Sequence, residues 1–143
     1  MHLLLVEDNP ADAYLVREAL TPFLVQGTLE LSTVASGEAA LAFLQHHEPY
    51  RQPALPDLIL LDINLLRISG MEVLLKIKQD TQLRLVPVMM LTSSGLEPEI
   101  AQCYELGASA FFIKPYGLEQ FLHVVQLTVE FWSTNQFRTP QPK

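Results

Sequence analysis

One cysteine, Cys103, in 143 residues leaves no partner for an internal disulfide. With no paired ligands nearby it reads as a buried helix residue in a reducing compartment. Basic residues are scarce: nine Lys and Arg against sixteen Asp and Glu give a net charge of −7. Without a basic face to offset phosphate repulsion, neither nucleic acid nor an anionic membrane is a direct partner. The N-terminal apolar run, Leu3-Leu4-Leu5-Val6, is stopped by Glu7-Asp8, far too short for a signal segment or a spanning helix. The four histidines, His2, His46, His47 and His123, do not converge with the acids in any pattern, which argues against a transition-metal site. The expectation is a soluble, cytoplasmic chain, and its 49% apolar content is that of a compact globule and not of a disordered segment. This length implies one domain over residues 1–133, followed by a loose tail over 134–143 that carries Pro140 and Pro142.

Strand-like and helix-like patterns alternate five times. Strands are expected at His2–Val6, Leu29–Val34, Leu58–Asp62, Val86–Leu91 and Ala110–Ile113. The third and fourth are unbroken apolar runs, as suits strands covered on both faces. The first helix opens on Asn9-Pro10, a cap followed by proline at the first helical position, and turns Val16, Ala19, Leu20 and Phe23 to one side. The second follows Ser36-Gly37 with Ala40, Leu41 and Leu44 inward. The third follows Gly70 with Val73, Leu74 and Ile77 inward. The fourth runs from about Pro98 to Leu106 and the fifth from Leu118 to about Ser133. Met71, Met89 and Met90 read as core. Between the second helix and third strand, Glu48 to Pro56 forms a polar loop. Repeated strand–helix units with short connections imply right-handed crossovers and an α/β, doubly wound parallel sheet.

Four of these strands end in a polar residue: Glu7-Asp8, Asp62, Thr92 and Lys114. A parallel sheet brings the C-terminal ends of its strands to one edge, where open α/β sheets place their sites. Three carboxylates, a hydroxyl and an ammonium therefore meet in one crevice. Asp8 alone fits a helix cap as well as a ligand; crowded beside Glu7 and Asp62 it adds to a repulsion that a hard dication relieves. Mg²⁺ in that role keeps waters and favours a phosphate oxygen as a further ligand. A carboxylate also accepts a phosphoryl group, and Asp62, central in the sheet, is the natural acceptor. Lys114, tied down by Pro115, suits the charge on a transferring phosphoryl oxygen. Its alternative role, a salt bridge within the acid cluster, needs the same pocket.

The stretches Leu4-Leu5-Val6-Glu7-Asp8-Asn9-Pro10, Asp57-Leu58-Ile59-Leu60-Leu61-Asp62-Ile63-Asn64-Leu65, Met90-Leu91-Thr92-Ser93-Ser94 and Lys114-Pro115 together resemble the receiver domain of two-component response regulators, over residues 2 to about 130. The resemblance implies a flavodoxin-like (βα)5 fold with strand order 2-1-3-4-5. It implies that Asp62 takes a phosphoryl group from a sensor histidine kinase. Mg²⁺ would sit on Asp8, Asp62 and the Asn64 backbone carbonyl, with Glu7 acting through water. Thr92 and Lys114 would hold the phosphoryl oxygens, Phe111 would be the switching aromatic, and Lys114-Pro115 a cis peptide. Such a domain is a signalling module that assists only its own phosphorylation and dephosphorylation. Within the family the chain is similar to single-domain regulators paired with bacterial and cyanobacterial phytochromes, at Ala11-Asp12, Ala42-Phe43-Leu44-Gln45, Tyr104-Glu105-Leu106 and Phe131-Trp132. It departs from the family beside the acceptor: Leu66 stands where proline is usual, and Ile68 and Ser69 where methionine and an acid are usual. No ligand is lost.

The fifth helix carries more apolar surface than one core needs. Leu118, Phe121, Leu122, Val125, Val129 and Trp132 make one stripe at helical spacing; Val124, Leu127 and Phe131 make a second on another face. The expectation is a homodimer through this helix at Val124, Leu127, Phe131 and Trp132; the alternative is a tail folded back over it. The output is then protein–protein contact with a downstream partner, by a stand-alone switch or by a constitutive, phosphorylation-independent interaction module of the same fold. A metal phosphatase with an aspartate nucleophile would need an acid two residues on, where Asn64 cannot donate a proton. A nucleotide or flavin binder would want a glycine- or hydroxyl-rich loop after the first strand, where Glu7-Asp8 repel an anion. With no DNA-binding appendage after Trp132, direct transcriptional output is not expected.

Overall fold

The computed structural model describes residues 1–45, 55–93, 97–114 and 118–134. Within them five strands alternate with five helices: β1 His2–Val6, α1 Pro10–Val25, β2 Glu30–Val34, α2 Gly37–Leu44, β3 Leu58–Asp62, α3 Gly70–Gln79, β4 Val88–Thr92, α4 Glu97–Glu105, β5 Ala110–Ile113 and α5 Leu118–Thr134. All four strand pairings are parallel and the sheet order is β2-β1-β3-β4-β5, the flavodoxin-like arrangement expected. Among the described residues no helix is long and apolar enough to cross a membrane.

The period-two alternation of a strand divides each apolar run between two cores. Leu4, Val6, Ile59, Leu61, Val88 and Met90 pack with α2, α3 and Cys103 of α4. Leu3, Leu5, Leu58, Leu60, Met89 and Leu91 pack with Val16, Ala19 and Leu20 of α1 and with Phe121, Val125 and Val129 of α5. Covering on both faces is why β3 and β4 read as unbroken apolar runs. Cys103 is buried, as expected.

Local chemistry sets the helix ends. The Asn9 carboxamide accepts hydrogen bonds from the Ala11 and Asp12 amides at 2.9 and 3.3 Å, with Pro10 at the first turn. At its other end α1 contains Pro22, and the chain turns out through Gly27 at φ +74°, a left-handed position that suits glycine. Ser36 caps α2 through the Ala39 amide. Two strand boundaries differ from expectation. The strand expected from Val86 begins at Val88, because Leu83–Leu85 form a 3₁₀ turn closed by the Val86 amide on Leu83, and Pro87 has no amide to add to a ladder. The strand expected from Leu29 begins at Glu30, whose amide bonds Met1. Pro115, with its expected cis bond, the loop residues 48–54, His46, His47 and the tail from 135 lie outside the described residues.

The loop from β3 to α3 is built around a close approach. The Gly70 amide donates to the Ile63 carbonyl at 2.9 Å. A Cβ on Gly70 would fall on the Asp62 carbonyl oxygen and 2.7 Å from Ile63 Cα, so α3 starts against the backbone of Asp62 only because this residue has no side chain. Ile68 joins the core and lies over Gly37, Ser69 caps α3 through the Glu72 amide at 3.3 Å, and Arg67 takes φ +66°. Ile68 and Ser69, the departures noted above, thus serve the loop's packing and the helix start. Gly70→Ala is expected to cost about 3 kcal/mol by overpacking rigid backbone. Urea denaturation of the purified variant checks this; a loss under 1 kcal/mol would mean the loop can move away from Asp62.

Candidate functional site

The parallel register brings the polar strand ends together. Val6 pairs with Leu61 and Asp62 with Leu91, so Glu7 and Asp62 leave neighbouring strands side by side. Thr92 closes β4 opposite Ile113, and the next residue, Lys114, donates its amide to the Thr92 carbonyl at 2.6 Å. Glu7, Asp62 and Thr92 are buried and Asp8 is half-buried. Each of Glu7, Asp8 and Asp62 offers a carboxylate oxygen within 4.8 Å of the others. At that spacing each like-charged pair repels by roughly 3 kcal/mol in a partly polar environment.

Backbone amides fix one oxygen of each of these three acids. Asn9 donates to Glu7 Oε1 at 3.2 Å, Asn64 to Asp62 Oδ1 at 3.1 Å, and Leu66 to Asp8 Oδ2 at 3.1 Å. The Leu66 bond is one that proline cannot make, since it has no N–H; the departure from the usual residue therefore adds a tie between the loop after Asp62 and Asp8. The remaining oxygens of Glu7 and Asp62 turn to one cation. Lys114 Nζ lies 2.9 Å from Glu7 Oε2, 2.9 Å from Asp12 Oδ2 and 3.3 Å from Asp62 Oδ2. The salt bridge inside the acid cluster, the alternative expected for Lys114, is thus what the pocket contains. Asn64 Nδ2 donates to Thr92 Oγ1 at 3.2 Å. Phe111 is half-buried against the α2/α3 core, and Phe112 faces α5.

These contacts set the charge states. Burial pushes the Glu7 carboxyl up to about 7; Lys114 pulls it down, but less, and the Asp62 charge raises it further. For Lys114 burial disfavours the ammonium, yet hydrogen bonds to Asp12 and Glu7 and the charge of Asp62 more than offset it, so its pKa lies above the ordinary lysine range. Three clustered oxygen donors, with no nitrogen or sulfur among them, fit a hard divalent cation. Glu7, Asp8 and Asp62 would hold it.

One contributor was missed in the sequence. Asp12 entered only as a helix-surface likeness, yet it makes one of the two shortest bonds to Lys114. Its spacing gave a signal: four residues beyond Asp8, on the first turn of a helix whose start faces the site.

The chain matches the response regulator receiver domain over residues 3–126. It is 40% identical over 130 residues to the response regulator Rcp1 of Synechocystis, across 91% of this chain and 87% of that protein. The crystal structure of the phosphorylated cyanobacterial phytochrome response regulator RcpA is similar with a TM-score of 0.87 at 38% identity, covering 99% of this chain and 98% of that one. The Mn²⁺-bound form of Rcp1 gives 0.84 at 37% identity over 99% of both chains.

The raised Glu7 pKa has a stability consequence with a definite sign. A carboxyl that binds its proton more tightly when folded contributes stability that is fully present below its unfolded value of 4.5 and lost as pH rises through about 7. Without divalent cations, Glu7→Gln should therefore gain melting temperature relative to the parent as pH goes from 5 to 8, and Mg²⁺ should reverse that gain by stabilising the parent. Thermal melts of both proteins in EDTA and in Mg²⁺ check this; a parent–variant difference independent of pH would rule out the raised carboxyl.

Proposed function

The chain belongs to the response regulator receiver family, and from that premise we propose that it is a phosphoacceptor switch in which Asp62 takes a phosphoryl group from a histidine kinase. The observation that carries this reading is the setting of Asp62, buried at the carboxyl end of the central strand with two further carboxylates and the Lys114 ammonium around it. An Asp62 oxygen attacks phosphorus, an O–P bond forms, and the N–P bond of a phosphohistidine breaks with its electron pair returning to the imidazole. A divalent cation, Mg²⁺ in our reading, held by Glu7, Asp8 and Asp62 would neutralise charge on the transferring group. Lys114 and Thr92 supply an ammonium and a hydroxyl to the phosphoryl oxygens.

The new group brings roughly −1.5 to −2 charge. It competes for Thr92, whose hydroxyl now accepts from Asn64, and draws it inward. Phe111 then turns into the space Thr92 leaves, altering the surface of α4, β5 and α5. Likeness to Rcp1 and RcpA supports a phytochrome as the kinase, and the Mn²⁺-bound form of Rcp1 supports a divalent cation as the ligand of this chain's acid cluster. The reaction belongs in the cytoplasm, with a downstream protein as target.

The same reading includes a homodimer through α5. Phe121, Val125 and Val129 are buried, and Leu122 and Trp132 are partly covered. The second stripe is not: Leu127 is 49% and Phe131 58% exposed. With Val124, Thr128 and Trp132 of α5 and Phe112 of β5 they line an apolar groove of about 580 Å³, a surface suited to an isologous contact.

Incubation with acetyl phosphate and Mg²⁺ should add the mass of one phosphoryl group to the parent and none to Asp62→Asn; no gain at early times in folded parent would overturn the switch. Light scattering at micromolar concentration should give a dimer for the parent and a monomer for Phe131→Glu, and a monomeric parent would remove the α5 interface.

A further inference from the structure

The Lys114 ammonium has three protons to donate, and three carboxylates already take them: Glu7 and Asp12 at 2.9 Å and Asp62 at 3.3 Å. The lysine is therefore saturated before any phosphoryl group arrives, and it binds one only by giving up a partner. Glu7 and Asp62 belong to the cluster that fits a divalent cation; Asp12 does not. Cation binding would turn the charge of Glu7 and Asp62 toward the metal and leave the Asp12 contact in place. Asp12 sits on the first turn of α1, where the Asn9 cap holds its amide at 3.3 Å, so its carboxylate cannot follow the ammonium far. Its side chain is 32% exposed against 13% for Lys114, which lets water take over the carboxylate once the ammonium leaves.

We infer that Asp12 is a positioning residue that holds Lys114 back from the phosphoryl site, so that the Asp12–Lys114 contact opposes the phosphorylated state. The inference rests on the proposed phosphoacceptor role of Asp62 and adds a restraint on it from a third element of the fold. Removing the Asp12 charge frees the ammonium for the phosphoryl oxygens. Glutamate at the same position restores the charge and keeps the restraint.

The test is Mg²⁺-dependent binding of beryllofluoride, a non-covalent mimic of the phosphoryl group, by calorimetry on the parent, Asp12→Asn and Asp12→Glu, with melting temperatures to confirm folding. Loss of a partly exposed ion pair predicts roughly three- to fivefold tighter binding by Asp12→Asn, and parent-like binding by Asp12→Glu. The direction separates restraint from structural support, because a variant that merely loosened the pocket would bind more weakly. Unchanged or weaker binding by Asp12→Asn, with the parent binding normally, overturns this inference alone. A folded parent that binds no beryllofluoride overturns it together with the phosphoacceptor reading.

Discussion

The Lys114 ammonium is the charge on which the carboxyl edge of this sheet depends. Glu7, Asp8, Asp62 and Asp12 surround one crevice, and the lysine's contacts to three of them, with a backbone amide on each of Glu7, Asp8 and Asp62, offset their repulsion. These contacts join β1, α1, β3 and the end of β5, adding ion pairs to the ladder that pairs β1 with β3 and to the apolar packing of α1 on the sheet. Truncating the lysine would leave buried carboxylates uncompensated, which costs more than an exposed ion pair gives. A cation or phosphoryl group added there would change the balance of attraction on a single nitrogen.

The loop after β3 shows how a family pattern is kept with different residues. Leu66 contributes an amide to Asp8, Ile68 fills the space above Gly37, and Ser69 caps α3. The Leu66 amide is one that a proline there would lack. Arg67 absorbs the left-handed backbone needed to bring Gly70 against Asp62.

The strands and their polar ends were legible because an apolar run covered on both faces has a direct physical signature, and a charge that stops it must lie at the sheet edge. The strand order came from the family likeness, since spacing alone does not choose among doubly wound arrangements. The start of β4 was misplaced because Val86 is apolar and buried like a strand residue, while Pro87 delays the ladder and the chain before it coils into a 3₁₀ turn. Contacts across more than a hundred residues were the least legible. Lys114 could be placed among acids, but which of them it touches depends on the pitch of α1 and the height of β5. Thr92 and Asn64 likewise meet only through the packing of β4 beside β3.

Gln126 of α5 donates a side-chain hydrogen bond to the Ala19 carbonyl of α1 at 3.0 Å, and both helices press on the same core. The helix that presents the exposed apolar stripe is therefore fastened to the helix that carries Asp12. Binding free energies are reciprocal: a partner that grips α5 more firmly in one state of the pocket must, to the same degree, shift the pocket toward that state. A listener at the far helix would thus set the sensitivity of the receiver it listens to, and the strength of the incoming signal needed would depend on who is already bound.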